Sequence, residues 1–167
     1  MENRVLAGRG KRLGGNMSYD STPDTLAHIG QVQVYLAQVI SALKQRAIVH
    51  DASKLEEPEK PMFDTFTPRL RGSTYGSPEY KEFLEAMDEG LRHHYAVNRH
   101  HPEHFDNGFA GMNLIDVIEM LADWKAATLR LENGDLEESI TLNAHRFGYG
   151  GAFAQLLRNT ARDLGWL

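Results

Sequence analysis

The sequence predicts an all-α protein, a single-domain helical bundle of five to seven helices. Apolar residues recur at spacings of three and four along most of the chain, and no segment shows the strict alternation of a strand. The chain has 167 residues and no cysteine. This length fits one domain with a sizeable core, and the missing cysteines exclude a disulfide scaffold, a thiolate metal site and a cysteine nucleophile.

The first predicted helix covers about residues 23–47. An N-cap candidate precedes Pro23, which suits the first helical position, and apolar residues follow at helical spacing from Leu26 to Leu43. A short helix is expected to carry residues 50–55, and a third helical segment is expected at about 61–71.

Four helices are predicted in the rest of the chain. Ser77 and Pro78 begin the first of them, and Pro102 stops it. Asn113 caps the second, and Asn133-Gly134 ends it. The expected ranges are about 78–100, 114–132, 135–146 and 151–164.

The net charge of −5 is unevenly distributed. Residues 1–16 carry four basic residues and one acidic residue, which predicts a flexible basic tail ahead of the domain at 17–167. Contact of this tail with phosphate or nucleic acid is the alternative. The remaining chain is acidic and contains the eight histidines, a composition that favours cations as ligands and predicts no stable nucleic-acid complex. A solvated acidic surface is the simpler explanation.

Membrane and secretion signals are weak in the sequence. No uninterrupted apolar run approaches the ~18 residues that a membrane span needs. No apolar segment follows the basic residues of the N-terminal tail, as a secretory signal would require. We therefore expect a cytoplasmic protein without a membrane partner, and a homo-oligomer is compatible with the sequence.

Histidines are concentrated in one short segment. Five of the eight fall within residues 93–104, and a neutral imidazole is a common metal ligand. His94 and His101 are seven residues apart, which is two helical turns, so we expect them on one face. The alternative is a histidine-rich, exposed helix end. The five are His93, His94, His100, His101 and His104.

The dyad His50-Asp51 follows the apolar stretch 47–49, where a charged pair is costly to bury without a partner such as a metal ion. On a helix the two side chains would diverge by about 100° and could hold an ion from two sides. Upstream, His28 lies within an apolar helix, where a hydrogen-bonded core histidine is the alternative to a ligand.

Three carboxylates interrupt the apolar helix predicted at 114–132. Their spacings of three and four place them on one face. For the first two, a solvated helix face is an equally good explanation. The three are Asp116, Glu119 and Asp123.

The order of His28, the His50-Asp51 dyad and Asp123 resembles the H…HD…D pattern of the HD superfamily of metal-dependent phosphohydrolases, which are all-α proteins. The string at residues 50–53 is similar to that of bacterial 5′-deoxynucleotidases in this superfamily. The histidines at 93–101, together with Glu119-Met120 and Asp123-Trp124, also resemble a small uncharacterised HD-like family of bacteria and phages.

The resemblance implies a ligand set of histidines and carboxylates, which suits Mn, Fe, Co, Ni or Zn. A first ion would be held by His28, His50, Asp51 and Asp123. A second, bridged by Asp51, would be held best by His94 and His101, with His93, His100 and His104 in reserve. Whether Asp116 joins or replaces Asp123 stays open at this stage.

The resemblance implies a phosphohydrolase acting on a small phosphorylated metabolite, with a nucleotide favoured. Lys54 stands where the nucleotidases carry a glutamate, and we expect it to meet a substrate phosphate. A solvent-facing lysine, or one paired with Glu57, is the alternative. Glu119, or a histidine that is not a metal ligand, is expected to move protons.

Two other functions share the same ligand chemistry. One is an HD-fold di-iron oxygenase, and the other is a non-catalytic binding protein that contains a metal. Further phosphate-binding candidates, each with a surface role as the alternative, are Arg69, Arg92 and Arg99.

Overall fold

A computed structural model describes residues 19–73, 77–130 and 134–167. Within these ranges it contains seven α-helices and no strand, so the all-α prediction is confirmed. The predicted basic tail at 1–16, the boundary at residue 17 and Asn133 lie outside the described residues. The helices are α1 (Thr22–Val49), α2 (Glu59–Gly72), α3 (Pro78–Ala86), α4 (Asp88–Val97), α5 (Leu114–Thr128), α6 (Leu136–Phe147) and α7 (Gly151–Asp163).

The chain divides into two units, Met1–Ala37 and Gln38–Leu167, and the division falls inside α1. In the first unit the described part of the helix exposes its apolar side chains. The segment Thr22–Leu55 is long and apolar enough to cross a membrane, with a mean hydropathy of 1.2 over its best 18-residue window. Helices of soluble proteins and signal sequences meet the same criterion. An averaged window tolerates polar residues, so this segment passes although it holds no uninterrupted apolar run.

The core of the second unit lies among α5, α6 and α7. Its most buried members come from all three helices and include Met120, Ile140 and Leu157. Tyr149, which follows α6, is also buried there, and its hydroxyl donates to the carbonyl of Ile140 at 2.7 Å. Burial raises the pKa of the Tyr149 phenol to about 12. The reversal between α6 and α7 uses Gly148 in the left-handed region (φ 69°), which ends α6.

The elements that carry most of the histidines pack against one another. A 3-10 helix at Ala52–Leu55 contacts α2 and α4, and α2 also contacts α3 and α4. The start of α5 is fixed by a capping box. The Asn113 side chain accepts from the backbone of Asp116, and the Asp116 carboxylate accepts from the backbone of Asn113.

The helix predicted at 78–100 is two helices, separated at the buried Met87. The second of them, α4, ends at Val97 because Asn98 has an extended backbone, and its amide group donates to the carbonyl of His94 at 2.9 Å. The prediction that residues up to 100 are helical is therefore wrong. His100 and His101 lie in a turn that leads to a 3-10 helix at Pro102–His104.

The prediction that His50 and Asp51 lie on a short helix is also wrong. Helix α1 ends at Val49, and the 3-10 helix begins at Ala52. Asp51 has a left-handed backbone (φ 56°), which breaks the helical path between the two elements. Predicted starts and ends of α1, α2, α6 and α7 agree with the structure to within about two residues.

Adjacent leucines on α7 provide a test of the core. Leu157 is 1 % exposed and Leu156 is 51 % exposed. We expect Leu157→Ala to lower the free energy of unfolding by about 2–5 kcal/mol, because it removes buried methyl groups and leaves a cavity. Leu156→Ala, the matched control, should cost less than about 1 kcal/mol. Urea denaturation measures both, and equal losses would contradict this description of the core.

Candidate metal centre

The His50-Asp51 dyad lies at the junction between α1 and the first 3-10 helix. Asp51 is the one residue other than glycine with a positive φ among the residues described, a conformation that Asp tolerates better than most side chains. His50 Nε2 lies 3.7 Å from Asp51 Oδ2 and 3.7 Å from Asp123 Oδ1. The left-handed residue, rather than a helical turn, brings the dyad and Asp123 into one group.

The carboxylate face of α5 points into the protein. Asp116 is fully buried and Glu119 is 8 % exposed, so the stripe is not a solvated helix face. Glu119 Oε1 lies 3.1 Å from His50 Nδ1 and 3.3 Å from His100 Nδ1. Glu119 and Asp123 therefore both approach His50, from successive turns of one helix.

Asp116 is held by two arginines. Arg99 Nε and Nη2 donate to its two oxygens at 3.1 and 3.0 Å, and Arg46 Nη2 lies 2.5 Å from Oδ1. Burial would raise the pKa of Asp116, but these hydrogen bonds and that from the Asn113 backbone lower it overall. Asp123, not Asp116, joins the dyad among the residues that the model describes.

Arg46 is a residue that sequence reasoning missed. It lies in the last turn of α1, where a basic residue is ordinary. In the structure it bridges Asp116 and Glu119, donating to Glu119 Oε2 at 3.2 Å. It thereby fixes the carboxylate that faces His50.

The histidine segment contributes a second group. His94 and His100 are each 1 % exposed. Asp51 Oδ1 lies 3.3 Å from His94 Nε2 and 3.5 Å from His100 Nε2. His94 Nε2 also lies 2.9 Å from His101 Nε2. The predicted pair His94 and His101 is thus brought together by the turn after α4, and His100 enters with them.

Within residues 19–73, 77–130 and 134–167, potential ligand atoms form three overlapping groups. In each group the atoms lie within 4.8 Å of one another. Three residues each belong to two groups, as ligands shared between neighbouring ions would. They are His50, Asp51 and His100. The groups are Asp51, His94, His100 and His101; His50, His100 and Glu119; and His50, Asp51 and Asp123.

The donor set fits a cation. Asp51 Oδ1 and both ring nitrogens of His100 are buried and have no hydrogen-bond partner among the described residues. Burying such atoms unpaired costs about 1–3 kcal/mol each. A cation among these atoms would remove that cost, and histidine nitrogen with carboxylate oxygen is a donor set that transition metals prefer.

When no cation is present, the charges of the histidines and carboxylates in the cluster balance one another. The nearby carboxylates of Asp123 and Glu119 raise the pKa of His50 to about 10, against the effect of burial. Burial would raise the pKa of Asp123 and of Glu119, but their histidine neighbours lower both to about 2. Burial, with His100 and His94 beside it, lowers the pKa of His101 to about 2. A proton on His50 therefore occupies the place of a positive ion.

Other candidate histidines lie elsewhere. His28 is exposed in the first unit and belongs to none of the three groups. His93 Nδ1 lies 2.7 Å from Glu59 Oε1, and His104 Nδ1 lies 3.1 Å from the carbonyl of Tyr95.

Each of the four phosphate-binding candidates contacts another side chain in the structure. Lys54 pairs with Asp51 at 2.6 Å, not with Glu57, and lies 4.8 Å from the Phe63 ring centre. It therefore stays beside the cluster. Arg99 is bound to Asp116 as described above. The other two candidates contact residues of their own helices. Arg92 forms an ion pair with Asp88, and the Arg69 guanidinium lies over the Phe66 ring.

A cavity of about 830 Å³ adjoins the cluster. Lys54, His94, His101 and Asp123 line its wall, and its volume is within the range of small-molecule sites. Four further basic residues also line it. They are Arg71, Lys81, Arg130 and Arg146, and three further acidic residues, Glu103, Asp135 and Glu138, line the cavity as well.

The pKa shifts predict that the metal-free protein is most stable near pH 6.5. Above that pH the unfolded His50 loses a proton that the folded one keeps to about pH 10, so stability falls as pH rises. Below it the unfolded His101 gains a proton that the folded one, with a pKa of about 2, does not take up, so stability falls again. Urea unfolding from pH 4.5 to 10 measures this profile.

Two variants test which histidine causes each fall in stability. His50→Gln should reduce the loss of stability above pH 6.5, and His101→Gln should reduce the loss below it. A stability that does not change with pH in the metal-free wild type would contradict the coupling of these side chains.

Comparison with known proteins places the chain in a family. A family model described as "Family of unknown function (DUF5662)" matches residues 17–163. No curated protein and no solved structure matches the chain. The matched range contains every residue of the three ligand groups and covers most of the sequence. The chain therefore belongs to the DUF5662 family.

Proposed function

We propose that this protein is a metal-dependent phosphohydrolase acting on a small phosphorylated metabolite, with a nucleotide as the favoured substrate. One observation carries the metal part of the proposal. Where the ligand groups overlap, Asp51 Oδ1 and both ring nitrogens of His100 are buried and have no hydrogen-bond partner in the part of the chain that the structure describes. A cation bound among these atoms would offset the free-energy cost of burying them without partners.

Two ions fit the grouping of the ligands. One would lie between His50, Asp51 and Asp123, and the other would be held by Asp51 with His94, His100 and His101. Asp51 would bridge them, as the resemblance to the HD superfamily implies. This assignment uses His100 in addition to the histidines chosen from spacing. His28, which the same resemblance implies as a ligand, stays a prediction.

Phosphate chemistry is supported by what surrounds the cluster. A bound transition metal can polarise a phosphoryl oxygen and activate a water molecule for attack. Lys54 lines the cavity next to the ligands, and further basic residues line the same cavity. These cations would attract a phosphorylated ligand and offset negative charge that develops on its oxygens.

Glu119 has a narrower role than the sequence predicts. With a pKa of about 2, it is ionised at neutral pH. It would therefore act as a ligand or a proton acceptor and not as a general acid. Its contacts with Arg46 and His50 hold it in position for either role.

The first test of this function is metal content. We expect the purified wild type to contain about one or two transition-metal equivalents per chain by elemental analysis. Asp51→Ala should lose the metal, because Asp51 belongs to two ligand groups and its removal weakens both. His145→Ala, which changes an exposed histidine of α6 outside these groups, is the control and should leave the metal content unchanged. A metal-free wild type that stays metal-free after incubation with Mn, Fe, Co, Ni or Zn would overturn the proposal.

The second test is phosphate release from a panel of nucleotides and sugar phosphates. Lys54→Met should keep its metal and lower kcat/KM about ten- to a hundredfold, because a charge-assisted hydrogen bond is worth roughly 1.5–3 kcal/mol. Lys60→Met is the matched control, since Lys60 also pairs with a nearby aspartate, Asp64, but is exposed. Unchanged kinetics in Lys54→Met would remove Lys54 from the substrate site.

The same preparation separates the alternative functions. Bound iron with oxygen consumption and no phosphate release would favour the di-iron oxygenase. Bound metal without either activity would favour a binding protein.

A further inference from the structure

Glu59 is a buried carboxylate outside the three ligand groups. It is the first residue of α2 and its side chain is 0 % exposed. Oε1 lies 2.7 Å from His93 Nδ1, and Oε2 lies 2.9 Å from His94 Nδ1 and 3.0 Å from Ser53 Oγ. A carboxylate accepts hydrogen bonds and does not donate them. Each of these neighbours therefore has to present a hydrogen to Glu59.

The surrounding hydrogen bonds determine which atom of His94 carries its proton. The side-chain nitrogen of Asn98 lies 2.8 Å from Ser53 Oγ, 2.9 Å from the carbonyl oxygen of His94 and 2.9 Å from His94 Nδ1. Because Nδ1 also faces the Glu59 carboxylate, which can only accept, the two amide hydrogens of Asn98 are assigned to the two oxygens. Ser53 is then free to donate its own hydrogen to Glu59 Oε2. The remaining contact to that oxygen is His94 Nδ1, so this nitrogen carries the hydrogen.

A hydrogen on Nδ1 leaves Nε2 of the neutral imidazole with a free lone pair. In the structure Nε2 of His94 faces Asp51 Oδ1 at 3.3 Å and His101 Nε2 at 2.9 Å. A lone pair aimed at a carboxylate oxygen is repulsive unless a cation lies between them. The hydrogen bond to Glu59 therefore prepares His94 to bind a cation on its other side.

We propose that Glu59 is a positioning residue that fixes the Nδ1–H tautomer of His94 and so makes Nε2 a metal ligand. The inference rests on the proposed metal centre and adds to it a residue that contacts neither the ion nor the substrate. Carboxylates that accept from the far nitrogen of a ligating histidine fix the ring orientation and raise the basicity of the ligand. Ser53 and Asn98 extend this support to the 3-10 helix and to the end of α4.

The tautomer is measured directly by ¹⁵N NMR of the histidine rings in the metal-free wild type. We expect His94 to have a protonated Nδ1 and an unprotonated Nε2. In Glu59→Gln, whose amide can either accept from His94 or donate to it, this single tautomer should give way to a mixture. An Nε2–H tautomer in the wild type would overturn the proposal without any variant, so the test does not depend on the variant folding.

Metal affinity gives the second readout, by titration of Mn or Zn into the metal-free protein. Glu59→Gln should weaken the binding of one ion about ten- to a hundredfold. His93→Ala removes the contact to the other oxygen of Glu59 and should change the affinity less than about threefold. Glu137→Gln is the matched control, because Glu137 also lies in the first turn of a helix and is ion-paired, with Arg158 and Arg162.

The outcomes separate this inference from the proposed function. Equal affinity in the wild type and in Glu59→Gln overturns the role of Glu59 and leaves the metal centre intact. No binding by the wild type overturns the proposed metal centre and this inference with it. Weaker binding together with a changed His94 tautomer supports Glu59, because a general loss of stability would not alter the tautomer.

Discussion

The pairing of buried charges between the end of α1 and α5 is the constraint on which the site depends. Asp116 and Glu119 are removed from water, and each needs a positive partner to remain ionised there. Arg46 supplies it to both, so the last turn of α1 is fixed against one face of α5. His50 follows Arg46 by one turn and therefore meets Glu119 and Asp123. That pairing and the left-handed backbone of Asp51 together place the dyad opposite its carboxylates.

Elements governed by local chemistry could be predicted from the sequence. Asn113 and Asp135 accept hydrogen bonds from the first turns of α5 and α6, and such caps act within a few residues. The breaks at Met87 and Asn98 could not be predicted, because they depend on distant contacts. Asn98, for example, leaves the helix where its amide reaches Ser53, 45 residues away in the sequence.

The residue types that gather in the cluster could be predicted more readily than the individual residues. Histidines and aspartates predict metal ligands, which stays a prediction. Spacing on a helix favours His101 over His100, whereas the turn after α4 brings in both. Glu59 stands in the charged run 56–60, which is typical of an exposed segment. Its burial is a tertiary property with no periodic pattern, so no sequence rule would have selected it.

The left-handed backbone of Asp51 opposes the backbone preference of residue 51 to the contacts of its side chain. Glycine adopts this conformation at lower cost than aspartate. It would also remove the carboxylate that pairs with Lys54 and that two ligand groups share. A substitution that relieves the backbone at residue 51 therefore dismantles the cluster at its centre.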